Sequence, residues 1–408
     1  MQALLGITLL IGVAWLVSEA RKEVVWKYVA IGLALQFGLA YLFTQVEWIV
    51  NTLLLLNGLV EQIEAATTAG TSFLFGYLGG GSVPFEISQD SAMYLFAFRV
   101  LPQVIVFSAI IAILWYWGVL PMIIRAFGWL LQRTLGVSGA LGTSGAVTLF
   151  LGMVETPLVV RAYLRELSRS EYFCMMTFGM ATVAGSVMVL YASILNEYLP
   201  GVLGHILSAS VINVIGATYV ARIMIPAGDK RTEDTGGSLT YESFMDAVTR
   251  GTSDGLTLAI NVGAMLLVLL SLVALVNGLL SYATIGGVAL SLELLMGWLF
   301  APIAWLIGIP WSEAVSAGSL LGTKLVLNEL VAYLQFGSSA DAFSERTQII
   351  LIYALCGFAN FGSLGILLGG LNTMVPERRR ETLEVAPKSL ISGTIVTLVT
   401  GAVIGIVV

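Results

Sequence analysis

The sequence predicts an all-α polytopic membrane protein with about eight transmembrane helices and two opposed re-entrant hairpins that form an inverted repeat. Of the 408 residues, 58% are hydrophobic and only 11% are charged, whereas soluble domains carry about 25% charged residues. Apolar runs of roughly 20 residues, the length of a helix that crosses a bilayer core, recur along the chain between short polar stretches. This composition disfavours a soluble fold, and no basic patch points to a nucleic-acid partner.

The predicted crossings follow from the length of the apolar runs. No Lys or Arg precedes the first run and no small-residue cleavage site follows it, so a retained helix is expected rather than a signal peptide. The spans are expected at residues 2–18, 28–45, 96–120, 171–196, 201–225, 255–281, 346–370 and 388–408.

Three further stretches are apolar but interrupted. Residues 47–78 contain several glutamates, residues 136–165 are broken by glycines and Pro157, and residues 310–337 are broken by glycines and Lys324. Glycine and proline stop a continuous helix, so the last two stretches are predicted to be re-entrant hairpins.

Two connecting stretches complete the predicted architecture. Residues 287–308 are apolar, and they either lie against the bundle or form a helix that leads into the second hairpin. Residues 226–253 are polar and are expected to be a cytoplasmic loop followed by a short helix with Thr240 near its cap.

The distribution of basic residues predicts the orientation. Every Lys and Arg except Arg99, Lys324 and Arg346 falls in a segment that is cytoplasmic if the N-terminus is outside, and residues 46–95 carry acids but no base. Both termini are therefore expected outside the bacterial inner membrane. The first hairpin then enters from the cytoplasm and the second from outside, an inverted layout that places a binding site near the bilayer midplane.

Two carboxylates in these hairpins are candidate functional groups, because an acid at membrane depth costs several kcal/mol. Glu155 lies between Gly152 and Pro157 in the first hairpin, and Glu329 lies in the middle of the second. The structural alternative is a buried ion pair between Glu329 and Lys324, with Glu155 neutral and hydrogen-bonded to a neighbouring helix.

Small polar residues interrupt the span that follows each hairpin, around residues 182–186 and 357–363. Asn360 and Ser363 are three residues apart and would share a helix face, although such residues alone more often join helices. Cys174 and Cys356 fall in apolar runs, where a packing role is expected rather than a disulfide or a metal site. Zinc, phosphate-loop and nucleophile-elbow signatures are absent, so neither an enzyme nor a bound cofactor is predicted.

Four motifs together resemble the concentrative nucleoside transporter family. They occur in the family's order, and the resemblance covers roughly residues 95–408. The motifs are GMVETPLVVRAYL at 152–164, MATVAGSVM at 180–188, GTKLVLNELVAY at 322–333 and CGFANFGSLG at 356–365.

The resemblance implies a nucleoside substrate, a homotrimer and an elevator-type movement of a transport domain built on the two hairpins. It implies that Glu329, Asn360 and Ser363 hold the ribose hydroxyls and that Phe358 lies beside the pocket. Glu155 would face the nucleobase, directly or through water. The corresponding division of the chain is a scaffold in 1–135, transport parts in 136–225 and 309–408, and a loop with a scaffold span in 226–308.

The chain departs from the family pattern at two places. Met153 and Val154 stand where family members commonly carry Gln and Ser or Thr, which predicts looser or redirected base recognition. Thr148 stands where sodium-coupled relatives carry Asn. We therefore expect proton coupling with Glu155 as the carrier, in preference to sodium. The resemblance implies that the family's sodium site corresponds to Thr148, Leu151, Thr182 and Val183 in this chain.

The predicted function is secondary active import of nucleosides driven by a proton or sodium gradient. The alternatives are a passive facilitator or channel with the same site, and a symporter for a modified nucleoside or a nucleobase. A membrane enzyme is disfavoured because no catalytic constellation can be assembled.

Overall fold

The computed structural model describes the chain with several gaps, and at Glu155 it describes the backbone alone. The described residues are 1–86, 95–153, 155–160, 163–195, 201–228, 232, 240–285 and 287–408. Helices dominate them. The only strands in these ranges are Thr284–Ile285 and Val288–Ala289, which pair antiparallel with Thr284 opposite Ala289.

The predicted polytopic helical fold is confirmed. Within the described residues, six helical segments are long and apolar enough to cross a bilayer. Two shorter apolar helices overlap the other two predicted crossings, and the one predicted at 346–370 is divided between two helices. The six long segments are Trp26–Gln45, Phe96–Tyr116, Arg169–Leu195, Val202–Met224, Phe244–Leu280 and Pro376–Val407. The shorter ones are Gln2–Leu16 and Phe361–Met374.

The described residues of the N-terminal third form six α-helices. The stretch 47–78, which its glutamates excluded from the plain predicted spans, forms one 29-residue helix followed by a short 3-10 turn. Glu47 lies in the first turn of this helix, where the helix dipole favours an acid. The helices are α1 (Gln2–Leu16), α2 (Trp26–Gln45), α3 (Glu47–Phe75), α4 (Phe96–Arg99), α5 (Leu101–Tyr116) and α6 (Val119–Leu135).

The first predicted hairpin consists of two short helices, and the span after it is broken. Ser138 caps the first of these helices, and Ser168 forms a capping box with Glu171 at the start of the broken span. The helices of this unit are α7 (Gly139–Thr148), α8 (Glu155–Val159), α9 (Arg169–Ala181), α10 (Gly185–Leu195) and α11 (Val202–Met224).

The second unit repeats this pattern. The stretch predicted at 287–308 forms a helix that leads into the second hairpin at a bend of 117°. The helices are α12 (Phe244–Leu280), α13 (Leu292–Leu306), α14 (Trp311–Val326), α15 (Glu329–Ser338), α16 (Glu345–Leu355), α17 (Phe361–Met374) and α18 (Arg379–Val407).

The prediction of a separate short helix near Thr240 is wrong. The side chain of Ser243 caps α12, which continues for 37 residues to Leu280. Gly251 and Gly255 lie inside this helix, at positions where α5 packs closely against it. A Cβ atom on Gly251 would lie 2.7 Å from the Cβ of Ala112 on α5, and one on Gly255 would lie 2.7 Å from the Cα of Ile105.

The core lies where α9, α11, α16 and α18 pack together, and each of these helices is largely buried. Helices α1 and α2 cover α11 and α18, whereas α5 and α12 pack on each other. Both helix breaks therefore lie inside protein, which is where irregular backbone is tolerated at membrane depth.

Candidate functional site

Glu329 lies at the tip of the second hairpin, as the first residue of α15. Asn328 caps this helix by accepting a hydrogen bond from the Val331 N–H, and the helix dipole favours an acid at the next position. The Glu329 side chain is buried. Its Oε1 accepts a 2.6 Å hydrogen bond from the Tyr191 hydroxyl, and its Oε2 accepts a 2.8 Å bond from Nδ2 of Asn360.

Asn360 links this carboxylate to the break in the following span. Its Oδ1 accepts a 2.7 Å hydrogen bond from the Ser363 N–H and so caps α17, while its Nδ2 reaches Glu329. The N–H of Asn360 donates to the Phe358 carbonyl at 2.8 Å. The structure therefore brings the predicted residues Glu329, Phe358, Asn360 and Ser363 into one cluster.

The two helix breaks touch each other at the centre of the molecule. The Phe358 N–H donates to the Thr182 carbonyl at 3.2 Å. Nδ2 of Asn213 on α11 donates to the carbonyls of Ala181 and Cys356, each at 2.8 Å. One buried amide thus satisfies carbonyl groups at both interruptions.

Gly357 allows this contact. A Cβ atom there would lie 2.7 Å from the Ala181 carbonyl oxygen and 2.7 Å from Cγ2 of Thr397. Real Cβ atoms do not approach backbone oxygen this closely, so a larger residue would push the two breaks apart.

Lys324 does not form the buried ion pair with Glu329 that the structural alternative predicts. Its Nζ donates to the Ala354 carbonyl and to Oγ1 of Thr397, both at 2.8 Å. No ion pair with Glu329 occurs among the described residues. The carboxylate instead has two neutral donors, Tyr191 and Asn360.

The first hairpin is described in part. Met153 is buried, and its Cβ lies 2.9 Å from the position that a Cβ on Gly179 of α9 would occupy. Val154 and the side chain of Glu155 lie outside the described residues. Glu155 is the first residue of α8, just as Glu329 is the first residue of α15. The predicted roles of these three residues remain predictions.

The predicted ion-coupling positions lie where α7 ends and where α9 is interrupted. The hydroxyls of Thr148 and Thr182 are buried and donate to carbonyls of their own helices, those of Ser144 and Phe178. Their oxygen lone pairs remain as possible ligands. Val183 is also buried, and Leu151 is half-buried beyond the end of α7. The Gly185 N–H donates to the Phe150 carbonyl at 3.1 Å and so holds the two regions together.

The sequence alone did not single out Tyr191 or the acceptors of Lys324. A tyrosine in an apolar span usually packs as a large hydrophobe, and its ring does lie 4.9 Å from that of Tyr333. Only the fold shows that its hydroxyl reaches Glu329. The fold likewise shows that Asn213 on α11 joins the two helix breaks.

The chain matches three family models in succession. They are described as "Na+ dependent nucleoside transporter N-terminus" over residues 5–78, "Nucleoside recognition" over residues 97–198, and "Na+ dependent nucleoside transporter C-terminus" over residues 205–405. The similarity therefore extends further toward the N-terminus than the four motifs indicated.

Curated relatives match over nearly the full length. The chain is 36% identical to the uncharacterized transporter YutK of Bacillus subtilis, with 98% of each chain covered. It is 33% identical to the nucleoside permease NupC of Helicobacter pylori, over 99% of this chain and 97% of that one.

Solved structures share the fold. CNTnw in an inward-facing substrate-bound state has a TM-score of 0.90 at 36% identity and covers 100% of this chain and 98% of its own. An outward-facing variant of CNTnw also has a TM-score of 0.90, at 35% identity and with 100% and 97% covered. With relatives above 30% identity that are covered almost end to end, the chain belongs to the concentrative nucleoside transporter family.

Proposed function

We propose that the chain is a secondary active symporter that imports nucleosides across the inner membrane. The observation that carries this proposal is the buried carboxylate of Glu329, held by Tyr191 and Asn360 where a hairpin tip meets a broken helix. A carboxylate and an amide in this place can replace the water around a sugar with strong, directional hydrogen bonds. Membership in a transporter family supports transport rather than catalysis.

In the proposed complex, Glu329, Asn360 and Ser363 bind the ribose hydroxyls and Phe358 lies beside the sugar. Met153, Val154 and Glu155 face the nucleobase. The hydrogen bonds of Asn360 support this arrangement. The side-chain amide of Asn360 joins the carboxylate of Glu329 to the start of α17. A ligand bound to this amide would therefore contact both the hairpin and the broken span.

Ion coupling is proposed at the first interruption, around Thr148, Leu151, Thr182 and Val183. The descriptions of the matched models favour sodium. Thr148 favours the proton, because a hydroxyl is a weaker sodium ligand than an amide carbonyl, and Glu155 would then carry the proton. The nucleoside and the ion would be released inside the cell after an elevator-type movement of the two hairpin units. These units would move within a homotrimer, against a scaffold that includes α5 and α12.

Uptake of labelled uridine into proteoliposomes under separate sodium and pH gradients tests this function. A symporter accumulates unchanged uridine above the external concentration under one of these gradients. A facilitator only equilibrates it, and that outcome would replace the proposal. Glu329→Gln should reduce uptake under either gradient, whereas Glu155→Gln should abolish the response to a pH gradient if the proton is the coupling ion.

A further inference from the structure

Lys324 is a buried cation at a helix break, and the proposed transport cycle does not use it. It lies on α14 and is 4% exposed. In the part of the chain that the structure describes, no other Lys or Arg is buried. An ammonium group in such a place is costly unless its donors are satisfied and its charge is compensated.

The ammonium group of Lys324 donates a hydrogen bond to the Ala354 carbonyl, which loses its usual helical donor at the break. Ala354 lies in the last turn of α16, and in a continuous helix its carbonyl would accept from the N–H of Phe358. That N–H donates instead to Thr182. Nζ of Lys324 takes its place at 2.8 Å, with Oγ1 of Thr397 as a second acceptor. A cation at this position also interacts favourably with the C-terminal end of the helix dipole.

The charge of Lys324 has a counterpart in the same hairpin. Glu329 is buried, and its described hydrogen-bond donors, Tyr191 and Asn360, are neutral. An ionised carboxylate in this setting needs a positive charge nearby, even without direct contact. Lys324 lies five residues before Glu329 in this hairpin, and both side chains are buried, so their opposite charges attract each other without a direct hydrogen bond.

We propose that Lys324 is the fixed internal cation of the second repeat unit. Its ammonium group supplies the positive charge that would otherwise have to come from a dissolved ion. It keeps Glu329 ionised as an acceptor and holds the end of α16 in its broken conformation. The second break therefore binds no exchangeable cation, and ion exchange is left to the first break. The role in ribose recognition rests on the proposed function, but the electrostatic role does not.

The first test is a double-mutant cycle of thermal stability in detergent, with Lys324→Met, Glu329→Gln and the variant that carries both changes. Charge compensation predicts that each single change lowers the Tm and that the double variant melts above Lys324→Met. Lys27→Met, at an exposed lysine, is the matched control and should combine additively with Glu329→Gln. Additive losses in the Lys324 cycle would overturn the proposal.

The second test replaces the missing ammonium group from solution. Lys324→Ala leaves a space that methylammonium can enter, whereas Lys324→Met fills it. Methylammonium chloride should raise the Tm of Lys324→Ala but not of Lys324→Met, relative to sodium chloride at the same ionic strength. If Lys324→Ala yields no folded protein, recovery of monodisperse protein in methylammonium is scored instead. No response in Lys324→Ala, or an equal response in both variants, would overturn the proposal.

These readouts need no nucleoside. A native chain that fails to bind uridine but shows the predicted stability coupling would refute the proposed function and leave the internal cation supported. A chain that binds uridine but lacks the stability coupling would refute the internal cation and leave the proposed function standing.

Discussion

Nδ2 of Asn360 lies 2.8 Å from Oε2 of Glu329 and joins the tip of the second hairpin to the start of α17. The same side chain caps α17 through Oδ1. Asn360 thus fixes the carboxylate and the helix end at once. This arrangement makes the response of the site to single substitutions predictable.

Tyr191→Phe should weaken uridine binding by roughly 10-fold, because it removes one of the two donors that fix the Glu329 carboxylate, and hydrogen bonds to charged groups contribute about 1.5–3 kcal/mol. Isothermal titration calorimetry measures the change. Tyr41→Phe, at an exposed position, serves as the control. Equal affinity in native protein and Tyr191→Phe would show that the hydroxyl does not organise the site.

Asn213→Leu should destabilise the fold by about 2–6 kcal/mol, because it leaves the carbonyls of Ala181 and Cys356 without their shared donor, and each unsatisfied buried group costs about 1–3 kcal/mol. Equilibrium unfolding in mixed micelles gives this free energy. The exposed Asn51 provides the control substitution Asn51→Ala. If both variants unfold alike, the bridge between the two breaks contributes nothing to stability.

Glu19 lies between α1 and α2 and forms ion pairs with Arg169 and Lys388 at 2.9 and 2.7 Å. The hydrogen bond from Arg169 is the main cause that lowers the pKa of Glu19 to about 2. Because the pKa is lower in the folded state than the ordinary value of 4.5, its stabilisation is fully present above pH 4.5 and is lost as the pH falls toward 2.

The Tm difference between native protein and Glu19→Gln should therefore be constant from pH 5 to 8 and shrink below about pH 4.5. It should also shrink at high salt, since these groups are partly exposed. A difference that grows on acidification would contradict the assignment.

The family resemblance implies that Met153 and Val154 stand in place of an amide and a hydroxyl. Sites without such polar partners lose the power to reject analogues. We therefore expect purine and pyrimidine nucleosides to compete with labelled uridine within about 10-fold of one another. Restoring the polar pair in Met153→Gln/Val154→Thr should enlarge the difference between the two classes of nucleoside, in favour of pyrimidines. A narrow pyrimidine preference in the native chain would refute the hypothesis.

Sequence patterns predicted the helical spans and singled out Glu329, because an acid in a long apolar run is rare and costly. The grouping of Glu329 with Phe358, Asn360 and Ser363 was implied by the family resemblance.

Sequence patterns did not predict the continuity of α12, since the polar composition of residues 226–253 indicates a loop, whereas the helix already begins at Phe244. The partners of Lys324 were also beyond sequence reasoning. Glu329 is the nearest acid along the chain, whereas Ala354 and Thr397 become neighbours only through packing of α14 on α16 and α18.

The role of Glu329 is tested most directly by comparing equilibrium binding of uridine and 2′,3′-dideoxyuridine to native protein and Glu329→Gln. If the carboxylate binds the ribose hydroxyls, the substitution weakens uridine binding by about 10- to 100-fold and changes binding of the dideoxy analogue by less than about 3-fold. Equal losses for both ligands, or no loss for either, would show that the buried carboxylate is not the ribose-binding group.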